Sequence, residues 1–357
     1  MRVLMLNRPD ALEVRGGDTV QMQETARALR GLDVEVDLST ELTPDLAVYD
    51  LVHLFNLNRP DSTSIQARHA RARGKPFVLT PIHQLMERYD RGGRPHGLSA
   101  LYRALPEGVM NRVRAWYLRR PYRDKDKAWI LRHAAAVLPA TDVEADRLRL
   151  DFGETGPLRP VPNGVRLDPT PNAERSGVLC AARIEPFKNQ RALIRALEGT
   201  GIRLRLAGTP SPRHRRWAER CLEELESAGG EYLGELRAEA LWRAYAEAEV
   251  HVLASWFESQ SLSCLEAAWH GCRIVCTSVG YARGYLGGDA WYCDPGDEGS
   301  IRRAIEQALD AEPSNGLRER VAREFTWPRT AERTLAVYRE VLSDQTAGVG
   351  AGGFEPP

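Results

Sequence analysis

Short apolar runs of strand length alternate with segments of helical period along most of the chain. The apolar runs lie at 2–7, 34–38, 50–55 and 76–80, and again at 177–181, 204–208, 250–253 and 273–277. Between runs, apolar residues recur at spacings of three and four, as at Leu262, Leu265 and Trp269, which predicts amphipathic helices. Repeated strand–helix alternation is typical of a parallel sheet with right-handed crossovers. The pattern therefore predicts an α/β protein with doubly wound parallel sheets.

Length and a proline-rich segment divide the chain in two. A chain of 357 residues is long for one domain and comfortable for two. Asp168-Pro169-Thr170-Pro171-Asn172 is typical of a linker, so we predict an N-terminal domain over 1–168 and a second domain over 169–328. A final helix is expected at 329–342. Residues 345–357, rich in Gly, Ala and Pro, are expected to be disordered.

Composition and charge exclude several classes of protein. The 49 Lys and Arg residues equal the 49 Asp and Glu residues, so the whole chain is not a polyanion binder. Apolar residues make up 43%, but no run approaches the ~20 consecutive apolar residues that a membrane span requires. Six cysteines without a C-x-x-C pair predict buried free thiols in a reducing cytoplasm. The N-terminal apolar run ends too soon for a signal peptide and predicts a strand.

Two carboxylates, Glu258 and Glu266, lie eight positions apart where the run at 250–253 leads into the next helix. Ligands of open parallel sheets bind beyond the carboxyl ends of the strands, against helix N-termini. Glu258 falls in the loop that leaves the strand, and Glu266 falls on the helix. The pair is therefore a candidate ligand site, although a surface helix that happens to carry two Glu residues would show the same spacing.

This E-x7-E segment resembles the retaining glycosyltransferases of family 4. The resemblance implies the GT-B architecture, in which two Rossmann-like domains face each other across a cleft and the second domain binds a nucleotide-sugar donor. It also implies that Glu258 lies by the donor sugar, that Glu266 holds the ribose, and that neighbouring residues complete the donor site. Those neighbours are Gln260, Ser261 and Leu262. The family usually has Glu-Gly-Phe-Gly where this chain has Glu258-Ser259-Gln260-Ser261, which leaves the identity of the sugar open.

Arg183 and Lys188 follow the strand at 177–181 and precede a helix. Two cations in that position can neutralise a diphosphate leaving group as its charge develops, without a metal ion. The Arg-x4-Lys-Asn pattern resembles the family's diphosphate clamp, and the alternative is a solvated basic loop. The resemblance also puts the turn that begins at Glu235 against the nucleobase. The family's Gly-Gly-x-x-Glu is replaced here by Gly280-Tyr281-Ala282-Arg283-Gly284.

The first half of the chain offers candidates at three predicted strand ends. Glycine lets backbone approach a ligand closely, and the resemblance puts Gly16 and Gly17 against the donor diphosphate; a flexible turn is the alternative. The resemblance puts His83 at the donor sugar near the reacting carbon, although an isolated histidine is commonly a structural hydrogen-bonding residue. His53 is a further candidate, for the acceptor pocket.

Residues 103–132 carry seven Arg and two Lys against three acidic residues, interleaved with Trp and Tyr. A solvated helical insertion on the acceptor side has this composition. The alternative is a face that lies on anionic membrane lipid or holds an anionic acceptor, which would place the protein peripherally at the inner face of the cell membrane. Asp124-Lys125-Asp126 matches the D-x-D pattern of metal-dependent glycosyltransferases, but it lies in a helix-prone stretch rather than at a strand end. No metal is therefore expected.

Together with these features, the resemblance to family 4 implies a cytoplasmic glycosyltransferase that moves a sugar from a nucleotide diphosphate to an acceptor hydroxyl with retention at the anomeric carbon. The expected acceptor is a saccharide or lipid-linked molecule of cell-envelope polysaccharide or glycolipid synthesis; neither a cofactor nor nucleic acid is expected. Glu258 would hold sugar hydroxyls, and it could also act as a covalent nucleophile, although the resemblance favours front-face attack. The alternatives are a sugar-nucleotide epimerase of the same fold, with Glu258 and His83 as its acid–base pair, and a non-catalytic nucleotide-sugar-binding partner of a transferase.

Overall fold

The computed structural model describes residues 1–13, 16–94 and 121–350 of the chain. These residues form two compact units, and the chain passes between the units more than once. Unit 1 contains Met1–His83, the described chain from residue 121 to Gly164, and the chain from Trp327 onward. Unit 2 contains residues 84–94 and Val165–Thr326. Each unit holds one parallel sheet, which confirms the predicted α/β class.

Unit 1 is built on a five-stranded parallel sheet with the order β2-β1-β3-β4-β5. Its strands are β1 (Arg2–Leu6), β2 (Glu35–Ser39), β3 (Leu51–Phe55), β4 (Phe77–Thr80) and β5 (Ala136–Val137). Its helices are Gly17–Arg30, Pro60–Ala72, Pro121–His133, Asp142–Phe152 and Trp327–Gly350. The chain winds from β1 to β2 on one side and then from β3 to β5 on the other. This is the doubly wound arrangement predicted from the sequence.

Alternation along β1 shows why both faces of this sheet are covered. Successive residues of a strand point to opposite faces. Val3 and Met5 belong to one hydrophobic cluster, and Leu4 and Leu6 belong to another. Tyr338, on the C-terminal helix, is fully buried in the first cluster. The last helix of the chain therefore packs on the first strands of the chain.

Unit 2 contains a six-stranded parallel sheet with the order β11-β10-β9-β6-β7-β8. Its strands are β6 (Val178–Ala181), β7 (Leu204–Ala207), β8 (Glu231–Tyr232), β9 (Val250–Leu253), β10 (Arg273–Thr277) and β11 (Trp291–Cys293). Its helices are Gln190–Leu197, Arg215–Ser227, Ala238–Glu247, Leu262–Trp269, Ala282–Leu286, Glu298–Asp310 and Gly316–Glu324. The chain winds from β6 to β8 on one side and from β9 to β11 on the other, so the winding direction changes between β6 and β9.

The limits of the two units and of the last helix differ from the predicted boundaries. Unit 2 begins at Val165 rather than at 169, and it also includes residues 84–94, which the sequence prediction assigns to the N-terminal domain. The helix predicted at 329–342 runs from Trp327 to Gly350, so residues 345–350 continue it although they are predicted to be disordered. Each added residue extends an existing helix at little cost because it gains one hydrogen bond. Residues 351–357 lie outside the described residues.

Candidate active site

Unit 2 places two loops side by side where its winding direction changes. β6 and β9 are hydrogen-bonded neighbours. The loop after β6 carries Arg183 and Lys188, and the loop after β9 carries Glu258. Open parallel sheets bind ligands beyond the carboxyl ends of the strands at such a change of direction. Three of the residues predicted from the sequence therefore lie where this fold binds ligands.

Lys188 and Glu258 form an ion pair between these two loops. Lys188 Nζ donates a hydrogen bond to Glu258 Oε1 at 2.6 Å. The side chain of Glu258 is 7% exposed and that of Lys188 is 22% exposed, so water is largely excluded from the pair. Burial lowers the pKa of Lys188, but the charge and hydrogen bond of Glu258, together with the weaker effect of Glu185, outweigh burial, and the pKa is raised overall. Lys188 is therefore held as a cation beside a carboxylate.

Asn189 fixes the backbone that carries Lys188. Its φ of +59° lies in the left-handed region, which asparagine tolerates better than most residues. Its side-chain amide donates to the carbonyl of Ala254 at 3.0 Å and to the carbonyl of Pro295 at 2.8 Å. Gln190 donates from its side chain to the Arg183 carbonyl at 2.8 Å. Sequence reasoning did not assign Asn189 or Gln190 a role, although Asn189 is part of the Arg-x4-Lys-Asn pattern.

Gly280, in the loop after β10, lies directly against the backbone of Glu258. A Cβ atom at Gly280 would lie 2.1 Å from the Glu258 carbonyl oxygen, and the φ of Gly280 is +115°. The Glu258 N–H donates to the Val279 carbonyl at 3.1 Å, and the Tyr281 N–H donates to the Glu258 carbonyl at 2.8 Å. Only glycine combines this φ with this close approach. The position of Glu258 therefore depends on the loop after β10.

Glu266 lies on the helix Leu262–Trp269, which Ser261 caps. The hydroxyl of Tyr245 donates to Glu266 Oε2 at 3.3 Å. The Ser261 N–H donates to the hydroxyl oxygen of Tyr285 at 2.9 Å, so a buried tyrosine holds the start of this helix. The E-x7-E segment indicates Glu266 and Ser261 but neither tyrosine. Both tyrosines come from other helices, and no local spacing in the sequence indicates these contacts.

The other predicted donor contacts of unit 2 lie along the same edge of its sheet. Gln260 is buried, and Leu262, half-buried, begins the helix. The Arg183 guanidinium is half-buried and lies 3.8 Å from the Glu185 carboxylate. Glu235 is exposed and follows β8. Because β6 and β7 lie between β8 and β9, Glu235 is separated from Glu258 by two strands.

Gly16, Gly17 and His83 lie in unit 1, at the carboxyl ends of its strands. Gly16 follows β1 and precedes the helix Gly17–Arg30 with an extended φ of −135°. A Cβ atom at Gly17 would meet no atom within 4 Å. A larger residue at position 17 would therefore fit within unit 1. Close approach of the donor diphosphate to Gly17 stays a prediction.

A charged network lies beside these glycines. The Arg8 guanidinium donates to Asp18 at 2.9 Å and to Asp10 at 2.7 Å, and the Asn56 side chain donates to Asp18 at 3.0 Å. Burial raises the pKa of Asp18, but the hydrogen bond and charge of Arg8, together with the bonds from Asn56 and the Thr19 N–H, outweigh burial and the pKa is lowered overall. Arg8 and Asp18 are ten residues apart, with no motif between them, so no sequence pattern indicates the pair.

His83 is buried, and both its side chain and its backbone are hydrogen-bonded. Nε2 lies 2.8 Å from Asp151 Oδ2, and the backbone N–H donates to Glu144 Oε1 at 2.7 Å. Burial lowers the pKa of His83, and the bond to Asp151 opposes burial only in part. Ile82, immediately before it, has a φ of +50°, which is strained for a β-branched residue. Strain of this kind is concentrated at functional sites, and the role of His83 at the donor sugar stays a prediction.

His53 is a core residue and does not line a pocket as predicted. It is 1% exposed. Its Nδ1 lies 2.6 Å from the Tyr338 hydroxyl, and its Nε2 lies 2.8 Å from the Thr80 hydroxyl. Burial lowers the pKa of His53 to about 3, so the ring is neutral. The prediction was wrong because the side chain points into the sheet's packed face, which the strand pattern alone does not show.

We expect the stability of the protein to report the ionisation of Glu144, which is 1% exposed and accepts hydrogen bonds from His83 and Ala140. Burial raises the pKa of Glu144 from 4.5 to about 7. A carboxyl whose pKa is higher in the folded state stabilises the protein fully below pH 4.5 and loses that contribution as the pH rises through 7. Relative to Glu144→Gln, the wild type should lose up to about 3 kcal/mol of unfolding free energy between pH 4.5 and 7.5.

Urea denaturation at a series of pH values measures this difference. Glu306→Gln, at an exposed helical position, is the matched control and should follow the wild-type curve. Parallel pH curves for the wild type and Glu144→Gln would contradict the assignment.

Metal ligands, cysteines and membrane spans can be assessed within the described residues. There, no cluster of three His, Cys, Asp or Glu side chains could hold a metal ion. Asp126 accepts a hydrogen bond from Arg68 at 3.3 Å, whereas the side chain of Asp124 lies outside the described residues. All six cysteines are buried and free, as predicted. No helix in the described ranges is long and apolar enough to cross a membrane. Residues 103–120, which carry most of the predicted membrane-facing segment, lie outside those ranges.

Comparison with known proteins agrees with the geometry of unit 2. Residues 175–311 match the family described as glycosyl transferases group 1. The O-antigen chain mannosyltransferase B of Escherichia coli is 28% identical over 173 residues, which are 44% of this chain and 44% of that protein. The aligned part therefore spans less than half of the curated relative.

Solved structures resemble the chain over almost its full length. Sucrose-phosphate synthase from Thermosynechococcus elongatus has a TM-score of 0.76 and 17% identity, covering 96% of this chain and all of that one. HepE from Anabaena, solved in complex with UDP, has a TM-score of 0.68 and 14% identity, covering 95% and 100%. At these identities the likeness shows the fold, and the predicted two-domain GT-B architecture is confirmed. The family match supports a glycosyltransferase domain in unit 2.

Proposed function

We propose that the protein is a retaining glycosyltransferase that uses a nucleotide-diphosphate sugar as donor. The observation that carries the proposal is the Lys188–Glu258 pair, held at 2.6 Å between the two loops where the winding direction of unit 2 changes. A cation and a carboxylate in a site from which water is largely excluded can bind the diphosphate and the sugar of such a donor. The cation attracts the diphosphate, and the carboxylate accepts hydrogen bonds from sugar hydroxyls.

The other residues of unit 2 complete the donor site in this proposal. Arg183 assists Lys188 in stabilising the negative charge that develops on the departing diphosphate. Glu266, oriented by Tyr245, binds the ribose hydroxyls. The backbone at Ser261 is fixed by Tyr285 and completes the pocket near the sugar. The predicted roles of His83, Gly16 and Gly17 belong to unit 1 and stay predictions.

The reaction that suits these residues exchanges one bond at the anomeric carbon. The bond from this carbon to the diphosphate oxygen breaks, and the acceptor oxygen attacks from the same face. The acceptor hydroxyl proton passes to the leaving phosphate oxygen, so the products are a glycoside and a nucleoside diphosphate. Glu258 stabilises the cationic transition state, and Lys188 with Arg183 stabilises the diphosphate, so the residues supply the charge that a metal ion would otherwise provide.

The similar proteins suggest a class of acceptor for this activity but do not identify the donor sugar. The E. coli relative is named as an O-antigen chain mannosyltransferase, and HepE was also solved in complex with UDP-glucose. We therefore propose a saccharide or lipid-linked acceptor in cell-envelope polysaccharide or glycolipid synthesis, modified on the cytoplasmic side. The sequence Ser259-Gln260-Ser261 replaces the glycines usual in family 4, so the sugar has to be determined by experiment.

A ligand screen followed by an activity assay tests the proposal. A ligand that binds only the folded protein raises the melting temperature. Of UDP, GDP and ADP, each tested free and as hexose conjugates, one nucleotide should raise the melting temperature and the other two should leave it unchanged. With that donor and cell-envelope extracts, the protein should release the nucleoside diphosphate and form a glycoside with the anomeric configuration of the donor. EDTA should leave the rate unchanged. An isomerised donor without acceptor would indicate an epimerase, and donor binding without turnover would indicate a non-catalytic partner.

A further inference from the structure

The turn Tyr89–Gly93 packs on the two loops that carry the Lys188–Glu258 pair. The chain leaves unit 1 after His83, and the following residues belong to unit 2. The Tyr89 ring is buried and lies 5.3 Å from the ring of Phe187 at an angle of 71°. Phe187 directly precedes Lys188. The turn therefore reaches one side of the candidate site through an aromatic contact.

Gly92 and Gly93 lie directly against the indole ring of Trp256. A Cβ atom at Gly92 would lie 2.4 Å from Trp256 Cη2, and one at Gly93 would lie 2.4 Å from Trp256 Nε1. Contacts this short do not occur, so any larger residue at either position has to displace the ring or the turn. The two glycines and the indole ring therefore form one close-packed contact.

Trp256 connects this contact to both members of the pair. It lies two residues before Glu258, and its N–H donates to the Phe187 carbonyl at 3.0 Å. Its indole N–H is buried and has no acceptor among the described residues. Packing, rather than a side-chain hydrogen bond, therefore fixes the ring within the part of the chain that is described. A shift of the ring moves the backbone on both sides of the pair.

The segment before the turn makes a second contact, with the loop that accepts a hydrogen bond from Asn189. Arg88 pairs with Asp294 at 2.9 Å, and Asn189 donates to the carbonyl of Pro295 at 2.8 Å. The Arg88 and Asp294 side chains are half exposed, so the ion pair itself contributes little. It nevertheless places residue 88 beside the loop that holds Asn189, so the segment 88–93 follows the edge of the site.

We propose that the turn Tyr89–Gly93 is a positioning element that sets the geometry of the Lys188–Glu258 pair through Trp256 and Phe187. The expected effect of the turn on nucleotide binding rests on the proposed function. The expected effect of the turn on the backbone that carries the pair does not. Tyr89, Gly92 and Gly93 act through Trp256 and Phe187. The segment directly after His83 is thereby required for the donor site of unit 2.

Gly92→Ala tests the proposal, because the three atoms nearest to the added methyl group all belong to the six-membered ring of Trp256. Hydrogen exchange of residues 254–261 should become at least about tenfold faster, since the N–H groups of Trp256 and Glu258 lose their partners more often. Calorimetry with UDP and GDP as probes should show about tenfold weaker binding of whichever nucleotide binds the wild type. Gly288→Ala is the control, because a Cβ atom there meets nothing within 4 Å.

Two further variants separate positioning from general damage to the fold. In the Trp256→Phe background, Gly92→Ala should have less than about twofold effect, because the atoms it meets are gone and coupled changes are not additive. Tyr89→Leu removes the contact with Phe187 without adding volume, and it should also speed exchange in 254–261 if Gly92→Ala fails to fold.

The possible results distinguish this inference from the proposed function. Exchange in 254–261 that equals the wild type in Gly92→Ala, or in Tyr89→Leu, would overturn the positioning role. Equal effects of Gly92→Ala on this exchange in the wild-type and Trp256→Phe backgrounds would also overturn the positioning role. Failure of both nucleotides to bind the wild type would instead count against the proposed function, while the exchange data would still decide the role of the turn.

Discussion

Replacing Lys188 with alanine is expected to lower turnover by ~10²-fold or more, because a preorganised charge that stabilises a developing anion in a water-poor site has about that effect. Lys188 is the right residue to test, since its ammonium group lies 2.6 Å from Glu258 and its pKa is raised by that neighbour. Measurement of kcat and KM for the donor should show most of the loss in kcat, because the charge on the diphosphate grows toward the transition state.

The same substitution should also lower stability, and this effect has to be separated from catalysis. Glu258 would be left 7% exposed without its cation, which costs about 1–3 kcal/mol. The double variant Lys188→Ala/Glu258→Gln carries no unpaired charge, so it should regain much of the stability and remain inactive. Arg203→Ala, which breaks an exposed ion pair with Glu231 in the same unit, should leave both quantities nearly unchanged.

The chemistry of Lys188 would be disproved by a double variant that recovers activity together with stability. That result would mean that the pair serves only to fold the two loops. Turnover within threefold of the wild type in Lys188→Ala would lead to the same conclusion, and the diphosphate would then have to be bound by other residues.

The sequence predicted those parts of the fold and site that depend on local spacing. Apolar runs of four to six residues that alternate with helix-period segments predict parallel sheets, because this alternation is typical of strands joined by helical crossovers. Parallel strands end at one edge of their sheet, so the positions of Arg183, Lys188 and Glu258 just after apolar runs were enough to assign them to that edge. The reversal between β6 and β9, which brings these loops together, does not follow from spacing.

Contacts between distant segments account for most of what was missed. The bonds from Tyr245 to Glu266 and from Tyr285 to Ser261 join different helices, and the sequence shows only two tyrosines among many apolar residues. His53 was a candidate for the acceptor pocket because it lies near a strand end, but its two ring nitrogens are occupied inside the core. The packing of residues 84–94 with unit 2 depends on Gly92, whose significance appears only when Trp256 is in place.

Gly280→Ala is expected to lower the free energy of unfolding by about 3 kcal/mol or more. A methyl group at 280 would lie 2.1 Å from the Glu258 carbonyl oxygen and 2.9 Å from the Glu258 backbone nitrogen. Backbone atoms cannot rotate away as a flexible side chain can, so the two loops have to separate. The cost combines an unfavourable φ with overpacking, each worth about 1–3 kcal/mol. Because Glu258 moves with its backbone, turnover should fall with stability.

A second glycine isolates the steric part of this effect. Gly229 also has a positive φ, +74°, but a Cβ atom there meets nothing within 4 Å. Gly229→Ala should therefore cost only the conformational part, roughly 1–2 kcal/mol, and leave kcat unchanged. Urea denaturation and donor turnover measure both quantities. Equal losses of stability in the two variants, or full turnover in Gly280→Ala, would show that the loop after β10 does not fix Glu258, and the carboxylate would then have to be positioned by Lys188 alone.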